Sequence, residues 1–271
     1  MSQYNQHFTD LIVEKDEHLL WLTLNNEKAS NAITDGMIDS LETVSKLADS
    51  DPEIRVMIIT GAGKNFCSGG DVEAMEKKTG MFAGESFELG NRYKEGIQRI
   101  PRALESFQKP IIAMVNGAAI GAGCDLACMC DMRVASDKAK FGETFAKLGL
   151  VPGDGGTFFL QRVVGYAKAM EMILTADIYD ANAALAMGLV NQVHSFLDLK
   201  EKTRELAMKI THIGPVGLAL TKRALKMGRT QDLNAQLEVL SMYQGIAQRT
   251  DDHFEGLRAM KEKRAPEFKG R

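Results

Sequence analysis

The chain has little cysteine, and its cysteines are not arranged as in disulfide frameworks or metal sites. The four cysteines in the 271 residues are Cys67, Cys124, Cys128 and Cys130. They include no C-x-x-C pair, and no histidine lies near them in the sequence. Because a structural zinc site needs a full set of convergent Cys or His ligands, we expect no metal. Reduced, buried thiols are the predicted state, which favours an intracellular, cytoplasmic protein.

The sequence also lacks an excess of basic residues, a secretory signal and an uninterrupted apolar span. Its net charge of −3 gives no general attraction to nucleic acid or to anionic membranes. Residues 1–7 are polar and do not form a basic-then-apolar signal pattern. One apolar stretch, 111–130, is interrupted by Asn116, Asp125 and several glycines, so we predict a strand, turn and helix there. We therefore expect neither nucleic acid nor membrane as a partner.

Hydrophobic periodicity predicts an α/β body followed by a helical C-terminal part. Residues 11–24 form a predicted β-hairpin, and a helix follows Thr34, which is a suitable N-cap. Further strands are predicted at 56–60, 111–115, 132–135 and 190–193. A helix over 87–104 is expected to break near Pro101. The strand pattern ends near residue 200, which predicts a body of residues 1–199 and a helical region of residues 200–271.

Two glycine-rich turns give the strongest functional signal in the sequence. Each follows a β-branched run and ends in an aspartate: FCSGGD at 66–71 and NGAAIGAGCD at 116–125. Glycine allows a backbone to approach a ligand closely, or to adopt positive φ, without a Cβ clash. Two such turns can direct two backbone N–H groups at one oxygen, which is how an oxyanion hole is built. The pattern therefore indicates chemistry on a carbonyl group.

Nucleotide-binding and serine hydrolase motifs fit these turns poorly. The glycines at 117, 121 and 123 do not have the G-x-G-x-x-G spacing of a dinucleotide site, and no P-loop motif is present. Ser68 lies in a glycine turn, but not in the G-x-S-x-G context of a nucleophile elbow. The histidines fall outside the glycine segments, although one could reach Ser68 through the fold. Both functions are therefore disfavoured.

Taken together, the motifs resemble the crotonase superfamily, the enoyl-CoA hydratase/isomerase family, over nearly the whole chain. The resemblance rests on the order and spacing of the segments 25–32, 66–71, 116–126, 130–131, 141–142, 149–156 and 262–268. It implies an α/β fold, a crotonase-like spiral of repeated ββα units with a C-terminal helical trimerisation region. It also implies an acyl-CoA thioester substrate, coenzyme A entering only as part of that substrate, and a homotrimer or a hexamer.

The resemblance assigns roles to specific residues. It places the oxyanion hole at the backbone N–H groups of Ser68 and Ala122, where two donors would stabilise an enolate. Losing one such donor typically costs about 3 kcal/mol of transition-state stabilisation. The residues implied to contact CoA are Lys28, Ala29, Asn31, Gly70, Asp71 and Lys263. Lys263 would reach CoA phosphates from a neighbouring subunit, and the alternative is an ordinary solvated helix charge.

The sequence departs from the family at the carboxylates. The resemblance implies two glutamates for hydration, but their positions hold Asp125 and Phe145, and Phe145 cannot carry a proton. Asp154, in the third glycine segment, is the predicted replacement, with a helix N-cap as the alternative. Glu143 lies two residues before Phe145, and residues two apart do not share a helix face, so Glu143 cannot replace the missing glutamate. We interpret it as a charge at a helix start.

These observations support one leading function and two alternatives. We expect an enoyl-CoA hydratase in which Asp125 and Asp154 transfer protons, their pKa values being separated by burial and mutual repulsion. The first alternative is an enoyl- or dienoyl-CoA double-bond isomerase that uses the same two carboxylates. The second is a catalytically impaired CoA-binding subunit.

Overall fold

Residues 3–271, which this computed structural model describes, form nine strands and twelve α-helices. The first two residues of the polar N-terminal segment lie outside the described residues. The strands are β1 (Leu11–Asp16), β2 (Leu19–Leu24), β3 (Val56–Gly61), β4 (Ile111–Val115), β5 (Ala118–Ile120), β6 (Met132–Ser136), β7 (Lys140–Gly142), β8 (Tyr179–Asp180) and β9 (Gln192–His194). The helices are α1 (Asp35–Ser50), α2 (Val72–Lys77), α3 (Ser86–Glu95), α4 (Arg99–Ser106), α5 (Ala122–Met129), α6 (Gly156–Val164), α7 (Tyr166–Thr175), α8 (Ala181–Ala186), α9 (Leu199–Thr211), α10 (Pro215–Met227), α11 (Leu233–Ala247) and α12 (Asp251–Glu262).

The strands form two sheets between which the chain repeatedly crosses. The larger sheet has the order β1-β2-β3-β4-β6-β9, in which β1 and β2 are antiparallel and the other neighbours are parallel. The smaller sheet has the order β5-β7-β8. After β4 the chain enters β5 and then α5, and after β6 it enters β7 and then a 3-10 helix. This β–β–helix repeat is the spiral that the family resemblance implied.

Each face of the larger sheet is covered by a separate hydrophobic core. Along β3, Met57 and Ile59 point into the main core, while Val56 and Ile58 point into a second core. This follows from the alternation of side chains along a strand. The second core is completed by Leu199 and other residues of α9, so this helix is part of the body. From α9 to the C-terminus the described chain contains only helices, and the division of the chain near residue 200 stays a prediction.

Two local predictions differ in their outcome. The hairpin is confirmed, and Thr34 caps α1 by accepting a hydrogen bond from Met37 N–H at 3.0 Å. The predicted break in the helix is confirmed, but it lies at Gly96, which ends α3, while Pro101 lies in the first turn of α4. Proline is tolerated in a first turn because the amide there has no partner within the helix.

The four cysteines are free and buried, as predicted. Burial raises the pKa of Cys67 and of Cys130 to about 12, so neither thiol is a reactive thiolate at neutral pH. In the described part of the chain, none of the helices has the length and apolar character needed to cross a membrane.

Candidate active site

The two glycine-rich turns pack against each other backbone to backbone. Phe66 and Cys67 both donate N–H hydrogen bonds to Ala118 O at 3.0 Å, and Ile120 N–H donates to Cys67 O at 3.0 Å. A Cβ at Gly69, whose φ is +93°, would lie 2.7 Å from Ile120 O. Because a real Cβ cannot approach a carbonyl oxygen so closely, this contact requires glycine. The fold therefore places the two turns side by side, as an oxyanion hole needs.

The backbone amides of Gly70 in the first turn and Ala122 in the second are both unpaired within residues 3–271, since neither N–H donates a hydrogen bond to any group there. Ala122 opens α5, where the helix dipole adds positive potential. By contrast, Ser68 N–H already donates to Ser30 O at 3.0 Å. The predicted pairing of Ser68 with Ala122 is therefore corrected, because the amide free to join Ala122 is that of Gly70.

A cluster of three buried carboxyl groups lies behind the second turn. Its members are Asp125 in α5, Glu143 after β7 and Asp154 before α6, and they are 0%, 0% and 2% exposed. The Asp125 carboxyl lies close enough to those of Glu143 and Asp154 for their charges to raise its pKa. No N–H or O–H group of another residue within 3–271 donates to any of the carboxyl oxygens in the cluster. Three acidic groups therefore share one pocket without a basic partner in this part of the chain.

Burial governs the protonation of this cluster. It is the largest cause that raises the pKa of Asp125 well above its usual range, and the charges of Asp154 and Glu143 raise it further. Burial also raises the pKa of Glu143 to about 7 and raises that of Asp154. Because one buried charge disfavours the next, the cluster keeps protons at neutral pH and titrates as a unit. It can hold a carboxylic acid and a carboxylate in contact, which general acid–base chemistry requires.

The structure tests the capping interpretations of two of these carboxylates. Helix α6 begins at Gly156 with Gly155 as its N-cap, so Asp154 does not cap it. Glu143 is the N-cap residue of the 3-10 helix Thr144–Leu148, which agrees with its predicted place at a helix start, but its side chain is buried and makes no cap hydrogen bond. Strand periodicity is the signal that could have found it, because Glu143 lies two residues after the buried Phe141 of β7.

Aromatic rings lie beside the turn and beside the carboxyl cluster. A Cβ added at Gly121 would be 3.7 Å from Cζ of Phe145, so that ring stands next to the turn that carries Ala122. Tyr93 of α3 packs on Gly153, where an added Cβ would be 2.9 Å from Cε1 of the ring. Burial raises the pKa of Tyr93, and the charge of Asp154 adds to the effect. The site therefore combines buried acids with apolar walls.

Some of the residues predicted to contact CoA use their side chains in the fold instead. Asn31 is fully buried and donates to the carbonyl oxygens of Ala62 and Asn65, both at 2.9 Å. Asp71 caps α2 by accepting from Ala74 N–H at 3.0 Å. These hydrogen bonds occupy the two side chains, and CoA contacts through the backbone around Asn31 and Asp71 stay a prediction.

The other predicted contact residues near the first turn keep exposed surface. Lys28 and Ala29 are exposed in a 3-10 helix, and Ser68 Oγ donates to Ala29 O at 3.1 Å, which joins this segment to the first turn. Gly70 lies within that turn and is only half-buried. The backbone and surface of this corner are therefore accessible to a ligand.

Lys263 is not brought to these turns within one chain. It is the C-cap of α12, and the tail that follows packs on Arg55, which donates to Phe268 O at 2.5 Å. Arg55 immediately precedes β3, whereas the first glycine turn follows the opposite end of that strand.

Among residues 3–271, no group of three or more His, Cys, Asp or Glu side chains has a metal-binding arrangement.

Comparisons with known proteins place this geometry in context. The model of the family described as Enoyl-CoA hydratase/isomerase matches residues 14–271. The chain is 36% identical to crotonyl-CoA hydratase of Syntrophomonas wolfei over 262 residues, 96% of this chain and 98% of that protein. It is 37% identical to short-chain-enoyl-CoA hydratase of Clostridium acetobutylicum, covering 97% and 98% of the two chains. A crystal structure of enoyl-CoA hydratase from Bacillus anthracis superposes with a TM-score of 0.91 at 32% identity, covering 97% and 100%.

Proposed function

Since the chain belongs to the enoyl-CoA hydratase/isomerase family, we propose that it adds water across the double bond of a 2-enoyl-CoA thioester. One observation carries the proposal: the unpaired amides of Gly70 and Ala122 lie together, and the carboxyl of Asp125 is on the helix that begins at Ala122. One donor of the proposed oxyanion hole and a proton-bearing acid thus lie on the same helix, and the other donor lies on the adjacent turn. The hydratases among the relatives support the same assignment.

The reaction uses the amides and the carboxyls in one sequence. The oxygen of water bonds to C3 of the acyl chain while the carboxylate of Asp154 takes a proton from it. The electrons of the C2–C3 π bond move toward the thioester oxygen, where the N–H groups of Gly70 and Ala122 stabilise the enolate. Asp125 then donates its proton to C2 and restores the carbonyl. The proton held by Asp154 passes to Asp125 across their contact, which resets the site.

The assignment of acid and base follows from the number of carboxyl neighbours. Asp125 faces two other carboxyl groups and holds its proton most strongly, because each neighbour opposes its ionisation. For Asp154, burial raises the pKa, but hydrogen bonds with Asp125 and with its own backbone oppose the increase. Asp154 is therefore the member that ionises more readily and acts as the base.

Phe145 supports a second candidate, isomerisation of a 3-enoyl-CoA. Its ring lies beside Gly121, where it gives the turn an apolar wall. In this reaction one carboxylate removes a proton from C2 and returns it to C4, while the same two amides stabilise the intermediate dienolate. No water is consumed, so a wall that excludes water favours this course.

Two substrates separate these candidates. Purified protein should remove the enoyl absorbance of crotonyl-CoA if it is a hydratase. Conversion of a 3-enoyl-CoA, without loss of that absorbance, would assign the isomerase. Acyl-CoA binding with no turnover of either substrate would instead assign a CoA-binding subunit and overturn the enzymatic proposal.

The CoA part of the substrate and the assembly complete the proposal. Coenzyme A enters with the substrate along the exposed segment at Lys28 and Ala29 and the turn at Gly70. Lys263 would reach it from a neighbouring subunit of a trimer or of a hexamer. An exposed apolar stripe on α11, formed by Leu233, Leu237 and Leu240, supports such an assembly. The free thiols support a cytoplasmic setting.

A further inference from the structure

The hydroxyl group of Tyr93 has no hydrogen-bond partner within residues 3–271, although its side chain is half-buried and packs against the main core. Three of the five tyrosines donate their hydroxyl to another side chain: Tyr4 to Asp51 and Tyr179 to Glu171, both at 3.0 Å, and Tyr243 to Sδ of Met227 at 3.8 Å. Tyr166 is 68% exposed, so bulk water satisfies it. A buried tyrosine hydroxyl usually has a partner. Tyr93 therefore needs one that residues 3–271 do not supply.

The ring of Tyr93 is held beside the residue that precedes Asp154. A Cβ added at Gly153 would lie 2.9 Å from Cε1 and 3.2 Å from Cδ1 of the ring, so the ring packs on the Gly153 backbone. Gln98 joins the two segments, because its Nε2 donates to Gly153 O at 2.8 Å and its backbone N–H donates to Tyr93 O at 3.0 Å. Burial raises the pKa of Tyr93 and the charge of Asp154 raises it further, which agrees with their proximity.

The carboxyl group of Asp154 also lacks a hydrogen-bond partner. It is 2% exposed, and neither of its oxygens is hydrogen-bonded to any group of residues 3–271. The Tyr93 hydroxyl and the Asp154 carboxyl therefore lie near each other without bonding directly. A water molecule commonly bridges buried polar groups that do not reach one another, provided that it finds two or more polar partners. These two groups are such partners.

We propose that Tyr93 positions the attacking water, which donates one hydrogen to the Asp154 carboxylate and the other to Oη of Tyr93. The assignment rests on the proposed hydration. Because both hydrogens are held, a lone pair of the water oxygen is left for the bond to C3 of the acyl chain. Asp154 takes the first hydrogen as a proton while that bond forms. The second hydrogen stays on the oxygen, so Tyr93 also accepts a hydrogen bond from the 3-hydroxyl group of the product.

Tyr93→Phe tests this role, since it removes the hydroxyl and keeps the ring on Gly153. With crotonyl-CoA, kcat should fall about 10-fold, the effect of one hydrogen bond lost from the transition state. KM should change less, because the hydroxyl is assigned to water and not to CoA. Tyr179→Phe is the matched control, as it removes a hydroxyl that is bonded to Glu171, and it should leave the rate unchanged. Equal kcat values for the wild type and Tyr93→Phe would overturn the inference.

Binding of two acyl-CoA compounds tests the same contact without turnover. 3-Hydroxybutyryl-CoA and butyryl-CoA differ only in the hydroxyl group at C3, and calorimetry in the Asp125→Asn background measures both without the proton transfer at C2. Adding Tyr93→Phe should reduce the preference for the hydroxy compound about 10-fold, whereas adding Tyr179→Phe should preserve it. An unchanged preference would overturn the inference even if Tyr93→Phe is slow, because the slow rate would then come from a disturbed ring.

The two tests also separate this inference from the proposed function. A wild type that does not hydrate crotonyl-CoA, but whose preference for the hydroxy compound depends on Tyr93, would refute the proposed function and retain the contact. Hydration at equal rates by the wild type and Tyr93→Phe would retain the proposed function and refute the role of Tyr93.

Discussion

The carboxyl group of Asp125 lies directly over the Cα of Gly156. A Cβ added at position 156 would be 2.0 Å from Oδ1 and 2.5 Å from Oδ2 of Asp125. The Asp125 carboxyl therefore packs against the backbone at the start of α6. Glycine is needed at position 156 for space, whereas Gly69 and Gly121 in the turns have positive φ. It leaves room for an acidic side chain inside the core.

The first prediction concerns this contact. Gly156→Ala should displace the Asp125 carboxyl from its partners and lower kcat about 10²-fold, because small misplacements of catalytic groups are costly. The clash should also destabilise the fold by about 1–3 kcal/mol. Gly90→Ala in α3 is the matched control, since an added Cβ there meets nothing within 4 Å. Gly90→Ala should keep full activity. Equal rates for Gly90→Ala and Gly156→Ala would contradict the proposed importance of the contact between Gly156 and Asp125. Steady-state kinetics and urea unfolding measure both effects.

The second prediction concerns the proton-transfer pair. Asp125→Asn and Asp154→Asn should each lower kcat by about 10²–10⁴-fold, which is the usual contribution of general acid–base catalysis. The affinity for acyl-CoA, measured by calorimetry, should change little because neither side chain is assigned to CoA. The structure shows that Asp154 is not a helix cap. Wild-type turnover in Asp154→Asn would therefore contradict the proposed role of Asp154 as the base.

The third prediction separates Gly70 from Ser68 as an oxyanion donor. Gly70→Pro removes the backbone N–H and should lower kcat about 10²–10³-fold. Gly70→Ala retains the N–H and introduces a similar contact with the flexible end of Met75, whose Cε would lie 2.5 Å from the new Cβ. The alanine variant should therefore be much more active than the proline variant. If both lose the same activity, the loss is steric and Gly70 is not the donor.

The fourth prediction concerns stability and pH. Burial raises the pKa of Glu143 to about 7 in the folded state, against about 4.3 for an exposed glutamate. A carboxyl group whose pKa is higher in the folded state contributes fully to the free energy of unfolding below its unfolded-state pKa. This contribution is lost as pH rises through the folded-state pKa. Relative to Glu143→Gln, the wild type should therefore lose stability between about pH 4.3 and 7, on the order of 3 kcal/mol. Urea unfolding at several pH values measures the difference, which should be constant outside that range. A difference independent of pH throughout would contradict the prediction.

The fifth prediction concerns the assembly. Leu233, Leu237 and Leu240 are exposed at helical spacing on α11, as expected for a buried face in an oligomer. Leu237→Glu should convert a trimer into smaller species in light scattering after size exclusion. Leu197→Glu is the control, because Leu197 is 91% exposed in the loop before α9 and lies away from this stripe. A wild-type protein that is already monomeric would contradict the proposed assembly.

The body of the fold could be predicted because its signals are local. Buried β-branched runs marked β3 and β4, and Thr34 marked the start of α1. The strands β5 and β7 have three residues each, too few for a periodic pattern, and they pair with each other and, for β7, with β8. They were missed for that reason, although they create the spiral. Long elements can be read from the sequence, whereas short paired strands depend on the completed fold.

The site could be predicted only in part because its decisive contacts are tertiary. The two turns were identifiable from their glycines, but the free amide depends on Ser30 O, which occupies Ser68 N–H. Asp71 and Asp154 both precede helices, yet only Asp71 caps one. Glu143 does stand at the start of a short helix, but only the fold shows that its side chain is buried near Asp125. Each outcome depended on which partner the fold supplied.

The most direct test of the proposed hydration uses crotonyl-CoA in water labelled with ¹⁸O and deuterium. Mass spectrometry of the product should show one ¹⁸O in the hydroxyl group at C3 and one deuterium at C2, in wild-type protein and far more slowly in Asp154→Asn. If crotonyl-CoA binds to the protein but no 3-hydroxyacyl product containing ¹⁸O is formed, hydration at this site is contradicted.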